Sequence, residues 1–195
     1  SDEQLIADTV TAARCTKMDL VSNVVSEFPE LQGLMGEYYF DHEHPDKKNI
    51  GQAIREHYMP RFANDALPET TEGSIVSIAD KIDTIVGCYY AGIIPTGSQD
   101  PYALRRQALG LANIIINQSW SLSLQRLISI ACEAYGTTGL QFDNPDTNAT
   151  IHKFFEQRLL KILKDAGIAN DIIHSVMKVG YDDFYDVILR AKALA

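Results

Sequence analysis

The sequence predicts an all-α protein, and three observations carry that expectation. Apolar residues recur at three- and four-residue spacing in one run after another, the signature of helices with one buried face. No stretch alternates apolar and polar residues for long enough to make a trustworthy strand. The runs are separated by helix punctuation: proline in first-turn positions, aspartate and asparagine caps, and glycine just past an end.

The first run reads as one helix from about Asp2 to Val25, with Ile6, Val10, Ala13, Leu20 and Val24 as its expected buried stripe. Lys17 projects into that stripe, where its ammonium either snorkels to the edge or reaches a buried carboxylate, with Asp80 and Asp83 as the candidates. After a break at Ser26 to Pro29, a short helix to Phe40 carries Leu31, Leu34, Met35 and Tyr38. Gly33 and Gly36 within it suggest a close helix crossing, because glycine there costs up to about 1 kcal/mol of helix propensity. Asp41 to Lys48 reads as a polar loop, yet His42, His44, Asp41, Glu43 and Asp46 make it the one dense cluster of possible metal ligands. In the next helix Ile50, Ala53, Ile54 and His57 share a face, so His57 points inward, either as a hydrogen-bonded core residue or as a ligand. Met59 to Thr71 reads as a long connection with Arg61 exposed near its start.

The centre of the chain is Glu72 to Gly110. Its first helix has an apolar stripe of Ile75, Ile78, Ala79, Ile82, Ile85 and Val86. A second face gathers Val76, Asp80, Asp83 and Gly87 within roughly 60° at about 100° per residue, and the glycine there permits another element to approach closely. Tyr89 to Gly97 is expected to be a packed crossing. Asp100 and Pro101 then open a second helix whose first turns carry Arg105 and Arg106, where the helix dipole does not favour cations, so those charges answer some other partner. That helix continues to Ile116, and another carries Leu122, Leu124, Leu127, Ile128 and Ile130 to about Tyr135. Residues 136–148 lack periodicity and read as a linker. Three helices follow: one with Phe154, Phe155, Leu159, Leu160 and Leu163 that stops at Gly167, one from Asn170 to Val179, and one from the Asp182-Asp183 cap to Leu194. The expected organisation is a helical domain over 1–135, a linker over 136–148 and a helical extension over 149–195.

Composition narrows the function classes. With 46% hydrophobic and 22% charged residues, the chain has the make-up of a soluble globular protein. No apolar run approaches the ~20 residues of a membrane span, nothing resembles a signal peptide, and the expected location is cytoplasmic. A net charge of -9 argues against broad non-specific nucleic-acid binding, so any RNA contact is local. Cys15, Cys88 and Cys132 are far apart and read as buried, reduced thiols. There is no phosphate-binding glycine loop, GxSxG elbow or Rossmann fingerprint.

Several motifs carry a resemblance. Glu27-Phe28-Pro29-Glu30-Leu31-Gln32-Gly33, Arg55-Glu56-His57-Tyr58 with Pro60-Arg61-Phe62, Ala79-Asp80-Lys81-Ile82-Asp83-Thr84, and Ile94-Pro95-Thr96-Gly97-Ser98 with Asp100-Pro101 and Ala103-Leu104-Arg105-Arg106 occur in this order. Together they resemble the middle of the β subunit of bacterial glycyl-tRNA synthetase, and the helices from Phe154 to Leu194 resemble the segment that follows there. In that family the α subunit carries the aminoacylation site, with its ATP and magnesium, and the β subunit supplies tRNA recognition. The resemblance implies an internal piece of a longer subunit that binds no cofactor itself and has the α subunit and tRNA(Gly) as partners. No membrane partner is implied.

The middle of that subunit in turn resembles the HD superfamily of helical metal-dependent phosphohydrolases, which implies an HD-like bundle. An HD site uses a histidine, an adjacent His-Asp pair and a later aspartate to hold ions that activate water. Here Asp80 stands at the place of the late aspartate, with Asp83 one turn on, and His57 is a possible second ligand. The His-Asp pair is absent, and Lys17-Met18-Asp19 stands where it is expected. A protonated lysine cannot coordinate, so the resemblance implies a bundle that has lost its metal, with the Lys17 ammonium partly replacing the ion's charge beside Asp80.

Two function classes follow. One is a non-catalytic module that contacts tRNA and scaffolds the ligase, with Arg61, Lys81, Arg105 and Arg106 as candidate contacts to RNA phosphate. On the plainer reading Arg105 and Arg106 pair with acidic residues of this chain. The other class is a metal-dependent phosphohydrolase acting on nucleotides, which requires ligands from His42, His44, His57, Asp80 and Asp83 to converge.

Overall fold

The computed structural model describes residues 2–195. Among the described residues the fold is all-α, with ten α-helices and no strand. The first five are α1 (Asp2–Cys15), α2 (Asn23–Glu27), α3 (Leu34–Glu43), α4 (Lys48–Glu56) and α5 (Thr71–Tyr90). The others are α6 (Leu104–Asn117), α7 (Leu124–Gly136), α8 (Pro145–Asp165), α9 (Asn170–Val179) and α10 (Phe184–Leu194). The chain divides into two compact units, one ending at Asp80 and the other starting at Lys81. That division falls inside α5, not at residues 136–148.

In the first unit α4 packs against both α1 and α3. Ala12, Phe40, Ile50, Ala53, Ile54 and Val76 form its core, with Cys15 and Met18 packed against them. Gly36 is the close crossing that its spacing predicts: a Cβ there would lie 2.9 Å from Ile54 Cγ2. Gly33 serves differently, as the residue before α3 with a φ of 81°, in the left-handed region that suits glycine.

The single helix expected from Asp2 to Val25 is broken. It ends at Cys15, Lys17 adopts a left-handed φ of 61°, and a 3₁₀ turn over Met18–Val21 precedes α2. The reversal carries Asp19 inward, to 1% exposure. A non-glycine residue in that region costs roughly 1–2 kcal/mol, which the interactions of Lys17 and Asp19 must offset. The buried stripe proposed for this segment is also wrong, because Ile6, Val10, Leu20 and Val24 are 62%, 46%, 42% and 38% exposed. The face that packs holds Ala12 and Cys15 instead. Periodicity identified an apolar face correctly but not which face the neighbouring helix covers. Further on, Asp41, His42 and Glu43 belong to the last turn of α3 and not to a loop.

The second unit is built on α6, which packs against α8 and α10, while α9 contacts α8 and α10, and α7 contacts α8. Leu104, Ala108, Leu111 and Ile115 of α6, Phe155 and Leu159 of α8, and Phe184 and Val187 of α10 are all essentially inaccessible. The Gly167 stop and the Asp183 cap read from sequence hold here, whereas α8 starts at Pro145, inside the residues expected as a linker. Asn144 accepts from the amide of Asp146 at 2.9 Å with Pro145 in first position, Asp183 accepts from that of Asp186 at 3.0 Å, and Gly167 has a φ of 76° past α8.

Within α5 the predicted stripe is right at four of its six positions. Ile78, Ile82, Ile85 and Val86 are buried, whereas Ile75 and Ala79 are exposed. The close approach predicted at Gly87 is made by Tyr135, whose phenol a Cβ at Gly87 would overlap. The packed crossing expected over Tyr89 to Gly97 is not formed: Tyr89 and Tyr90 end α5, with Tyr89 buried, and most of residues 91–97 are exposed, Ile94 to 43%. Residues 136–148 are anchored in their middle. The Phe142 ring lies between Tyr90 (4.3 Å between centroids, 7° between planes) and Tyr135 (4.5 Å, 33°).

His152 of α8 is hydrogen-bonded through Nε2 to Gln125 Oε1 of α7 at 2.8 Å. Burial pushes its pKa below the ordinary 6.5, with Asp182 pulling the other way. Below that ordinary value the unfolded chain takes up a proton that the folded chain resists, so stability falls as the pH drops. Thermal melts from about pH 7 to about pH 5 should therefore show the wild type losing stability faster than His152→Gln. Parallel profiles would contradict the assignment.

Candidate functional site

Four of the residues singled out in the first unit come together around Tyr58. Lys17 reaches Asp80 of α5 and forms an ion pair through Nζ and Oδ1. The alternative of a lysine merely snorkelling to the edge is therefore corrected: its ammonium has a carboxylate partner. The side chains are 44% and 25% exposed, so water screens the pair. His57 is fully buried, and its ring lies 3.9 Å from that of Tyr58. Its Nδ1 meets the Ile54 carbonyl, an acceptor only, so Nδ1 carries the proton. This is the core histidine of the plainer reading.

Asp19 is oriented by α3. Its Oδ2 accepts the amides of Gly33 at 2.7 Å and Gly36 at 3.2 Å, which places a carboxylate at the positive end of the helix. Asp19 Oδ1 and the Tyr58 hydroxyl are buried without a hydrogen-bond partner. Burial, then the nearby charges of Asp19 and Asp80, push the Tyr58 phenol well above its usual range and keep it neutral. Glu56, 1% exposed, plays the corresponding part for α5. Its Oε2 accepts from the amide of Thr70 at 3.0 Å and from its hydroxyl at 2.6 Å. Sequence reasoning missed Tyr58 and Glu56, although both stand beside His57 in the Arg55-Glu56-His57-Tyr58 motif.

This donor set does not fit a divalent ion. The late aspartate is neutralised by an ammonium, and Asp19 is committed to backbone amides. Among the described residues no three His, Cys, Asp or Glu side chains gather in a way that could hold a metal. His42 is exposed and stacks with Tyr38, while His44 packs on Phe40. Asp83, in the second unit, receives the Tyr135 hydroxyl at 3.2 Å. Burial, with the Asp83 charge adding to it, pushes the Tyr135 phenol up to about 12. The convergence of ligands that a phosphohydrolase requires is not formed.

The candidate phosphate contacts fare differently from one another. Lys81 is 4% exposed and not a surface group, which removes it from the set. Arg61 is exposed and lies 3.9 Å from Asp65. Arg105 is half-buried and Arg106 exposed, and among the described residues neither forms an ion pair. The plainer reading, pairing with the chain's own acids, is thus corrected. Asp100, expected as a helix cap, turns both carboxylate oxygens to the Arg105 amide at 3.2 Å, and α6 itself begins at Leu104. Arg105 Nη1 makes one long contact, 3.4 Å, to the Gln99 carbonyl. Sequence reasoning missed Arg158 of α8, whose guanidinium sits 4.0 Å over the Phe154 ring. The Phe154/Arg158 spacing of four residues was the available signal.

A family model described as "Glycyl-tRNA synthetase beta subunit" matches residues 2–178. A protein named "Glycine--tRNA ligase beta subunit" from Desulforamulus reducens is 49% identical over 186 residues, covering 94% of this chain and 26% of the relative. The protein of the same name from Oceanobacillus iheyensis is 41% identical over 195 residues, 100% of this chain and 28% of its own length. That from Moorella thermoacetica is 42% identical over 194 residues, 98% and 28% respectively. The chain thus spans about a quarter of the length of these curated relatives.

A double-mutant cycle of Lys17→Ala and Asp80→Asn, read by thermal or urea unfolding, should give a coupling energy of about 0.5–1 kcal/mol, the range of a partly exposed pair. Strictly additive effects would show that the ion pair does not hold the Lys17 turn.

Proposed function

This chain belongs to the glycyl-tRNA synthetase β subunit family, and we propose that it is a non-catalytic module that contacts tRNA and scaffolds the ligase for glycylation of tRNA(Gly) in the cytoplasm. The observation that carries the proposal is the pair Arg105 and Arg106. In a chain of net charge -9 they stand without carboxylate partners at the start of α6. A guanidinium left facing solvent in an acidic protein is suited to phosphate, which it can meet with two parallel hydrogen bonds. Arg61 is a secondary contact, because it already has Asp65 beside it.

The scaffolding half is supported by the apolar side chains exposed between Ile6 and Phe28, with Val21 at 91% and Phe28 at 55%, a make-up suited to contact with another protein segment. On this reading ATP and magnesium act at the α subunit, the second partner. The Lys17 ammonium beside Asp80 then does structurally part of what an ion's charge does in an HD bundle. Among the described residues no helix is long and apolar enough to cross a membrane.

The test is tRNA(Gly) binding and glycylation by the complete α/β enzyme carrying Arg105→Ala and Arg106→Ala together. The double variant should bind tRNA about tenfold more weakly, with a salt dependence shallower by about two charges, while ATP–pyrophosphate exchange is unchanged. An unaltered KM for tRNA with an unaltered salt slope would overturn the proposal.

A further inference from the structure

Arg105 and Arg106 stand in the first turn of α6, which packs against the α8 helix that carries Arg158, and none of the three is in an ion pair among the described residues. Burial, with the Arg105 charge adding to it, pushes the Arg158 guanidinium below its usual range, while Asp100 pulls the other way. Asp100, however, already accepts the Arg105 amide with both oxygens. Arg158 is also held in place. Its plane lies over Phe154, and Nη1 donates to the Phe154 carbonyl at 2.7 Å and to Gln157 Oε1 at 3.1 Å. A fixed cation without a counter-ion is organised in advance for an anion, because little side-chain freedom is lost on binding.

Beside these charges stands an exposed aromatic ring. Tyr102 is 67% exposed and no ring contact or side-chain hydrogen bond engages it among the described residues. Its backbone is fixed all the same. Tyr102 and Ala103 have φ of 57° and 53°, a conformation that non-glycine residues avoid, and Gln107 Nε2 donates to the Tyr102 carbonyl at 2.9 Å. The chain therefore holds a large apolar ring in water, within the residues that lead into the Arg105 turn. Burial elsewhere in the fold does not explain it.

We infer that Tyr102, Arg105, Arg106 and Arg158 form one contact surface for an unpaired nucleotide of RNA, the ring stacking on the base while the guanidiniums hold the flanking phosphates. The inference rests on the tRNA reading above and adds to it the kind of RNA segment bound and two residues, Tyr102 and Arg158. Stacking on an aromatic face needs a base that is free of its own helix, whereas arginine contacts to phosphate do not distinguish paired from unpaired strands.

The experiment measures binding of this chain to three labelled probes by fluorescence anisotropy across a salt series: tRNA(Gly), a short unstructured RNA and a blunt RNA duplex. Tyr102→Ala should weaken binding to the first two about tenfold and leave the duplex unaffected, with no change in salt slope, and Tyr102→Phe should restore wild-type binding. Arg158→Met keeps an apolar stem over Phe154, and it should weaken all three probes and reduce the salt slope by about one. Failure of the wild type to bind any probe would overturn the tRNA reading and this inference together. Binding that depends on Arg105 and Arg106 but is indifferent to Tyr102→Ala and Arg158→Met would overturn this inference alone.

Discussion

A carboxylate taken out of water must be met by a positive charge or by hydrogen-bond donors, and the first unit is arranged around meeting two buried ones, Asp19 and Glu56, and a third, Asp80, that keeps part of its exposure. Asp19 is met by the amides at the start of α3, Glu56 by Thr70 just ahead of α5, and Asp80 by the ammonium of Lys17. Each solution joins segments distant in sequence. The left-handed turn at Lys17 serves two of them at once, since it sends the lysine to Asp80 and the following aspartate to α3. The glycines complete the arrangement: Gly33 and Gly36 present the amides that Asp19 needs, and Gly73 leaves room for the Glu56 carboxylate.

These same contacts account for the chemistry of the unit. A cluster of aspartates and a histidine on converging helices invites a metal-centred reading, but here both aspartates and the histidine have structural partners of another kind. The His57 ring is tied to the backbone of α4 and Asp19 to that of α3, while burial, with the Asp19 and Asp80 charges adding to it, keeps the Tyr58 phenol neutral. What remains is a braced framework. The features suited to a ligand lie in the second unit, where the arginines at the start of α6 and on α8 lack carboxylate partners.

Much of the second unit was legible in the sequence. Asp183 and Gly167 were read as cap and stop, and the bounds of α9 are those the periodicity gives, whereas the Asn144-Pro145 start of α8 was read as part of a linker. The first unit was less legible because its decisive interactions are not local. Nothing near Lys17 announces a left-handed residue; the helix breaks there to satisfy partners more than sixty positions away at Asp80 and about sixteen away at Gly33. The apolar stripe of Ile6 and Val10 is real as a pattern, yet α4 covers the opposite side of α1, and periodicity does not encode which side has a neighbour. Of the site residues, the Lys17–Asp80 pairing and the inward His57 could be read from face positions. The burial of Lys81 could not, because its exposure depends on packing around the whole circumference of α5.

The central claim is that an ammonium, and not a metal ion, balances Asp80. Calorimetric titration of the purified chain with Mn²⁺ and Zn²⁺, paired with thermal melts in the same solutions, tests it most directly. The account predicts no stoichiometric heat and no rise in Tm at millimolar metal. A single-site isotherm with a raised Tm, both abolished by Asp80→Asn, would contradict it and return the cluster around Tyr58 to metal-dependent chemistry.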